Sequence, residues 1–172
     1  MAKKTLGGKK KAKAQTTLGL APREWLFLAK FFVFFSVPYV LIHLIDLGWL
    51  SGIVAVAETA LFNAAGIPSS ASGSQIFCAG MNYAIIADCT GLVMIFMLFA
   101  LLWATPLKGR RRWLFLAVGI PLLLIFNIFR LFLTLYAGVA FGAGALDAVH
   151  LGFWFVDAGV VVALWAKAAE LW

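Results

Sequence analysis

At 172 residues, with 64% hydrophobic and 12% charged, the chain is far too apolar for a soluble domain, where about 45–50% apolar and about 25% charged is usual. Several apolar runs approach the ~20 residues a helix needs to cross a bilayer, and one membrane bundle is all the length allows. The net charge of +7 is therefore assigned to topology and lipid contact, not to nucleic acid.

Residues 1–23 carry Lys3, Lys4, Lys9, Lys10, Lys11, Lys13 and Arg23 among Gly, Ala and Thr, with no apolar periodicity. They read as a disordered basic tail on the cytoplasmic side, with residues 24–172 as a single transmembrane domain. The first apolar run is "WLFLAKFFVFFSVPYVLIHLI", residues 25–45. It is longer than the ~7–15 residues of a signal-peptide core, so a retained crossing helix is favoured over a cleaved leader. Lys30 snorkels back to the inner surface and Pro38 is expected to kink the helix.

Residues 49–66, "WLSGIVAVAETALFNAAG", are helical in pattern but carry Glu58 near the middle. A crossing here would put the "KGRRR" cluster at 108–112 outside, so this segment is expected to be an interfacial or re-entrant helix on the outer side. Next, "SQIFC" and "NYAIIA" flank "AGM" and predict a short β-hairpin. An open hairpin leaves backbone groups unpaired, so it belongs at the outer surface and not in the bilayer core.

The second crossing is predicted over residues 90–105, ended by Pro106, and the third over residues 113–137. "GVAFGAGALDAV" reads as a Gly/Ala-rich outer loop, and the last crossing starts at His150. The expected fold is thus an all-α integral membrane protein of four transmembrane helices, with an outer interfacial helix and a short hairpin before Cys89. Both termini lie in the cytoplasm. Of the 14 Lys and Arg residues, only Arg130 then falls away from the inner face.

Arg130 follows Arg112 by eighteen positions, roughly 27 Å of helix and almost the whole apolar thickness. Cys89 begins the second crossing and His150 the last, both at the outer end. Three separate segments thus deliver a thiol, a guanidinium and an imidazole to one depth. A thiolate is the nucleophile of cysteine chemistry, and a helix N-terminus lowers a thiol's pKa. An imidazole can take its proton and later protonate a leaving amine. A guanidinium can stabilise a tetrahedral oxyanion. Asn127 precedes Arg130 by one turn on the same face and could orient it or contact substrate. Asp88 and Thr90 line the same site, where Asp88 works against the thiolate. Asp157 follows His150 by two turns.

Blander readings stand beside these. Cys89 could be structural, or could pair with Cys78 in a disulfide. Arg130 could simply pair with Asp157 for stability. His150 could be an ordinary interfacial residue, and His43, near the outer end of the first helix, is the rival imidazole. No clustered metal ligands are present, and the chemistry needs neither metal nor cofactor.

The succession "ADCTGL", "NIFR", "HLGFWF" resembles the exosortase/archaeosortase family over roughly residues 30–166. The family's Cys, Arg and His match Cys89, Arg130 and His150. Val93 stands where exosortases often carry an Arg, which suggests the archaeosortase side or a divergent small subfamily. The resemblance implies a cell-membrane cysteine transpeptidase with its site on the extracytoplasmic face. Its partners would be exported proteins ending in a short motif, a transmembrane helix and a basic tail. It also implies cleavage through a thioester and transfer to an acceptor. The alternatives are a protease that only hydrolyses, a non-catalytic assembly protein, and a thiol redox protein using both cysteines.

Overall fold

The computed structural model describes residues 21–171. Most of the tail expected over 1–23 lies outside them. Five helices run in the order α1 (Pro22–Leu44), α2 (Gly48–Ala64), α3 (Leu92–Ala104), α4 (Gly109–Phe141) and α5 (Ala143–Ala168). Between α2 and α3 come three strands, β1 (Ser69–Ser72), β2 (Gln75–Cys78) and β3 (Met81–Ala84), and a 3₁₀ turn at Ala87–Thr90.

Three helices are long and apolar enough to cross a membrane: α1, α4 and α5. The expected second crossing, α3, has only 13 residues, about 20 Å against a hydrocarbon thickness of about 30 Å. α2, with its carboxylate, is not among the spans. Large apolar side chains such as Ile125, Phe141 and Phe155 stand 70% or more exposed. A water-soluble monomer rarely tolerates so much apolar surface; lipid is its solvent here.

Local chemistry explains the helix ends. Pro22 opens α1 where no N–H is needed, and the Glu24 carboxylate accepts the Ala21 N–H at 2.7 Å. Gly142, with φ +89° and ψ 178°, separates α4 from α5 in a conformation open only to glycine. α5 folds back along α4, α3 packs against α1 and α5, and α2 lies against the sheet, the 3₁₀ turn and α4.

Three expectations change. The hairpin, β2–β3, is two strands of a three-stranded antiparallel sheet in the order β1-β2-β3. β2 pairs on both sides, Ser69 opposite Cys78 and Cys78 opposite Met81. Ile76 and Cys78 point into the protein while Gln75 and Phe77 stand outward. The Gly/Ala-rich stretch before His150 is not a loop but the end of α4 and the start of α5. His150 therefore sits two turns inside its helix. Finally, Cys89 lies on the 3₁₀ turn, before the N-cap of α3 at Gly91.

Two apolar cores result. One joins Val54 and Phe62 of α2, Ile76 and Cys78 of β2, and Leu131 and Leu135 of α4, with Cys89 packed at its edge. The other joins Leu98 and Leu102 of α3, Leu123 of α4 and Val161 of α5. The polar residues of interest fall between them.

Candidate active site

The 3₁₀ turn is held from three directions. The Cys89 N–H donates to the Ile86 carbonyl at 2.9 Å. The Thr90 hydroxyl, buried, donates to the Ala87 carbonyl at 2.6 Å. The Asn127 side-chain amide, also buried, reaches from α4 to the Cys89 carbonyl at 2.8 Å. Asn127 thus grips the backbone of the thiol-bearing turn rather than orienting a guanidinium. Gly91, at φ +84°, is needed on two counts: a Cβ there would be strained, and it would press to 3.1 Å from the Asn127 Cβ.

Arg130 is one turn further along α4 and only 5% exposed. Its Nη1 donates to Asp157 Oδ2 of α5 at 2.6 Å, a charge-assisted bond in a dry setting. The ion pair expected from the sequence is therefore present. It does not use up the guanidinium: Arg130 Nε and Asp157 Oδ1 are both buried without a hydrogen-bond partner among the described residues.

Cys89 and Cys78 are both free thiols, so the disulfide reading is not realised. Burial pushes the Cys89 thiol above its ordinary value. Asp88 adds to that rise, while backbone hydrogen bonding at Ile86 and the positive charge of Arg130 pull against it. The expectation of a thiol activated by a helix N-terminus is corrected accordingly: at rest the buried group is protonated, and two residues, Thr90 and the left-handed Gly91, separate it from the first turn of α3.

His150, Trp154 and Asp157 share one face of α5. The Trp154 indole N–H donates to His150 Nε2 at 3.3 Å, and His150 lies close enough to act electrostatically on Asp157. The structure thus gathers Cys89, Asn127, Arg130 and Asp157, with His150 on the same side of α5. His43 has a different place. Its Nε2 stands 3.4 Å from Asp88 Oδ1 and its Nδ1 2.8 Å from the Tyr39 carbonyl. That contact ties the C-terminal end of α1 to the residue next to Cys89. Among the described residues, no group of three His, Cys, Asp or Glu is placed to hold a metal ion.

One group escaped the sequence reading. Glu58 is fully buried on the α2 face that packs toward the sheet and the 3₁₀ turn, with neither oxygen hydrogen-bonded among the described residues. The signal was available: an acid in an apolar helix with no basic residue within four positions. Desolvation raises its pKa from 4.5 to about 8. Between those values the folded protein keeps a proton that the unfolded chain has lost. Stability should therefore fall as pH rises through that window, by up to about 1.4 kcal/mol per pH unit. It should level off above pH 8. Glu58→Gln should flatten the profile and melt higher than the parent at pH 8, as thermal unfolding in detergent at pH 5 and pH 8 would show.

The fold and site define a polytopic membrane protein that carries a half-buried thiol beside a buried guanidinium–carboxylate pair. The family described as transmembrane exosortase matches residues 14–168. The chain belongs to that family. No curated protein and no solved structure matches it.

Proposed function

We propose that this chain is a membrane-embedded cysteine transpeptidase acting on C-terminal sorting signals of exported proteins. The observation that supports this best is the Arg130 guanidinium, fixed by Asp157 yet with its Nε donor unspent, whose charge is felt by the Cys89 thiol. Family membership supports the same chemistry and the same substrate class.

His150 takes the Cys89 proton, and the sulfur attacks the scissile carbonyl. The developing oxyanion is met by Arg130, a donor set in place before the reaction begins. The C–N bond then breaks, and the departing amine takes the proton back from His150. A thioester remains on Cys89. An acceptor nucleophile attacks it, loses its proton to His150 and restores the thiol. Asn127 keeps the turn in register, and Asp157 holds the guanidinium. Asp88 and Thr90 shape the turn beside the scissile bond.

In this reading α3 is the second of four crossings, shortened because the 3₁₀ turn and sheet cap its outer end. The site faces outward and the termini face the cytoplasm, as the basic residues at 108–112 indicate. The substrate's own transmembrane helix would lie along the lipid-facing helices, which places its cleavage motif at the depth of Cys89. Positioning of this kind can supply several kcal/mol of the barrier.

A membrane-impermeant maleimide applied to intact cells tests the reading. Cys89 should label from outside, with a rate that climbs past the pH at which an ordinary thiol levels off, because its pKa is raised. Arg130→Ala should slow labelling by about tenfold, the equivalent of about 1.4 kcal/mol of lost thiolate stabilisation. Access only from the inner side, or a rate indifferent to Arg130, would contradict it.

A further inference from the structure

At the end of the bundle opposite Cys89 lies a groove of about 1010 Å³ between the start of α1 and the ends of α3 and α5. Its placement follows from α1. His43 touches Asp88 beside the thiol, and Arg23 lies twenty residues earlier, roughly 30 Å away along the helix. The groove is amphipathic. Phe27, Trp103 and Trp165 supply apolar walls, while Arg23, Lys30 and Arg112 bring three cations. The lining contains a single acid, Glu24, whose carboxylate already accepts the Ala21 N–H.

Arg112 is held rigidly. Its Nη2 donates to the Thr105 carbonyl at 3.0 Å, and its guanidinium lies 5.6 Å from the Trp103 ring centre. Its Nε is buried with no hydrogen-bond partner among the described residues. Thr105 is fixed in turn by the Trp165 indole N–H at 2.7 Å. A pre-set guanidinium with an unspent donor, two more cations and an aromatic trough beside them suit a phosphate joined to acyl chains.

We propose that this groove binds one anionic glycerophospholipid. The phosphate sits on Arg112 and Arg23, and the acyl chains lie along Phe27, Trp103 and Trp165. A basic peptide would meet three like charges there. The proposal does not depend on the transpeptidase reading, since the groove lies a membrane thickness from the thiol.

Native mass spectrometry of the full chain in neutral detergent tests it, with phosphatidylglycerol and phosphatidylcholine of matched chains as probes. One phosphatidylglycerol should be retained per chain, with about tenfold preference over phosphatidylcholine. The preference should vanish in Arg112→Gln. It should also fall in the double variant Arg23→Gln/Lys30→Gln, whose positions are exposed on α1 and leave packing untouched. Replacing Lys3, Lys4, Lys9, Lys10, Lys11 and Lys13 together with Gln should leave the preference in place. Equal retention of the two lipids would overturn the proposal. So would a preference that survives the Arg23/Lys30 variant, one lost with the tail lysines, or displacement by millimolar inorganic phosphate.

Discussion

Cys89→Ala should abolish cleavage of the membrane-tethered substrate while leaving the protein folded. Loss of a covalent nucleophile costs on the order of 10³–10⁶-fold in rate when the rest of a site is intact. The fold should survive because the turn is held through the backbone of Cys89 and not its sulfur. The N–H bond to Ile86 and the bond from Asn127 to the Cys89 carbonyl both persist in alanine. Cys78→Ser offers the contrasting case. Cys78 is 2% exposed in the apolar core, so a hydroxyl there loses stability, about 1–3 kcal/mol if left unbonded. Activity per folded molecule should nevertheless match the parent. Substrate processing, normalised to folded protein by size-exclusion chromatography, separates the two variants. If Cys78→Ser were inactive as well, the thiol redox reading would replace the transpeptidase. The mass of the processed product then distinguishes transfer, which adds the acceptor, from hydrolysis, which adds water.

The parts of this fold that were legible in the sequence are those on which the bilayer acts most strongly. α1, α4 and α5 announce themselves because a crossing segment must be apolar over a fixed length. What escaped depends on contacts between distant segments. Ser69–Ser72 has no β-branched or aromatic residue to mark a strand; β1 exists because it covers the edge of β2. The stretch after Ala137 looks like a loop because it is Gly- and Ala-rich, but its small residues let chains approach closely. A Cβ on Gly138 would lie 2.8 Å from Leu146 Cδ1 and 3.0 Å from the Tyr83 hydroxyl. The same holds at the site. Order and depth single out Cys89, Arg130 and His150 as candidates, and helical spacing adds Asp157. The role of Asn127 could not, because its partner is a backbone carbonyl thirty-eight positions away. Nor could the state of the thiol be foreseen, because it depends on burial by α2 and α4 residues that sequence proximity does not reveal.

The Arg130–Asp157 pair is where stability and chemistry can be told apart. Asp157→Ala should destabilise the protein by about 3–5 kcal/mol, since it leaves a guanidinium buried without its counter-charge. Arg130→Ala should cost a similar amount by stranding the carboxylate. Neither result alone says whether Arg130 works on substrate, because an unfolded enzyme is also an inactive one. The double variant Arg130→Met/Asp157→Leu resolves the matter. Replacing both charges with apolar side chains of comparable volume removes the desolvation cost along with the attraction, so melting in detergent should return to near the parent value. If the pair only braces α4 against α5, this variant processes substrate normally and Arg130 has no part in the chemistry. If the guanidinium meets the oxyanion, the variant is stable, labels at Cys89 and still fails to cleave. Arg130→Lys sharpens the distinction. A lysine keeps the charge and can reach Asp157, but it lacks the planar fork that spends one N–H on the carboxylate and leaves another free. A stable Arg130→Lys protein with sharply reduced turnover is therefore the outcome expected of a guanidinium that holds its partner with one edge and stabilises the transition state with the other.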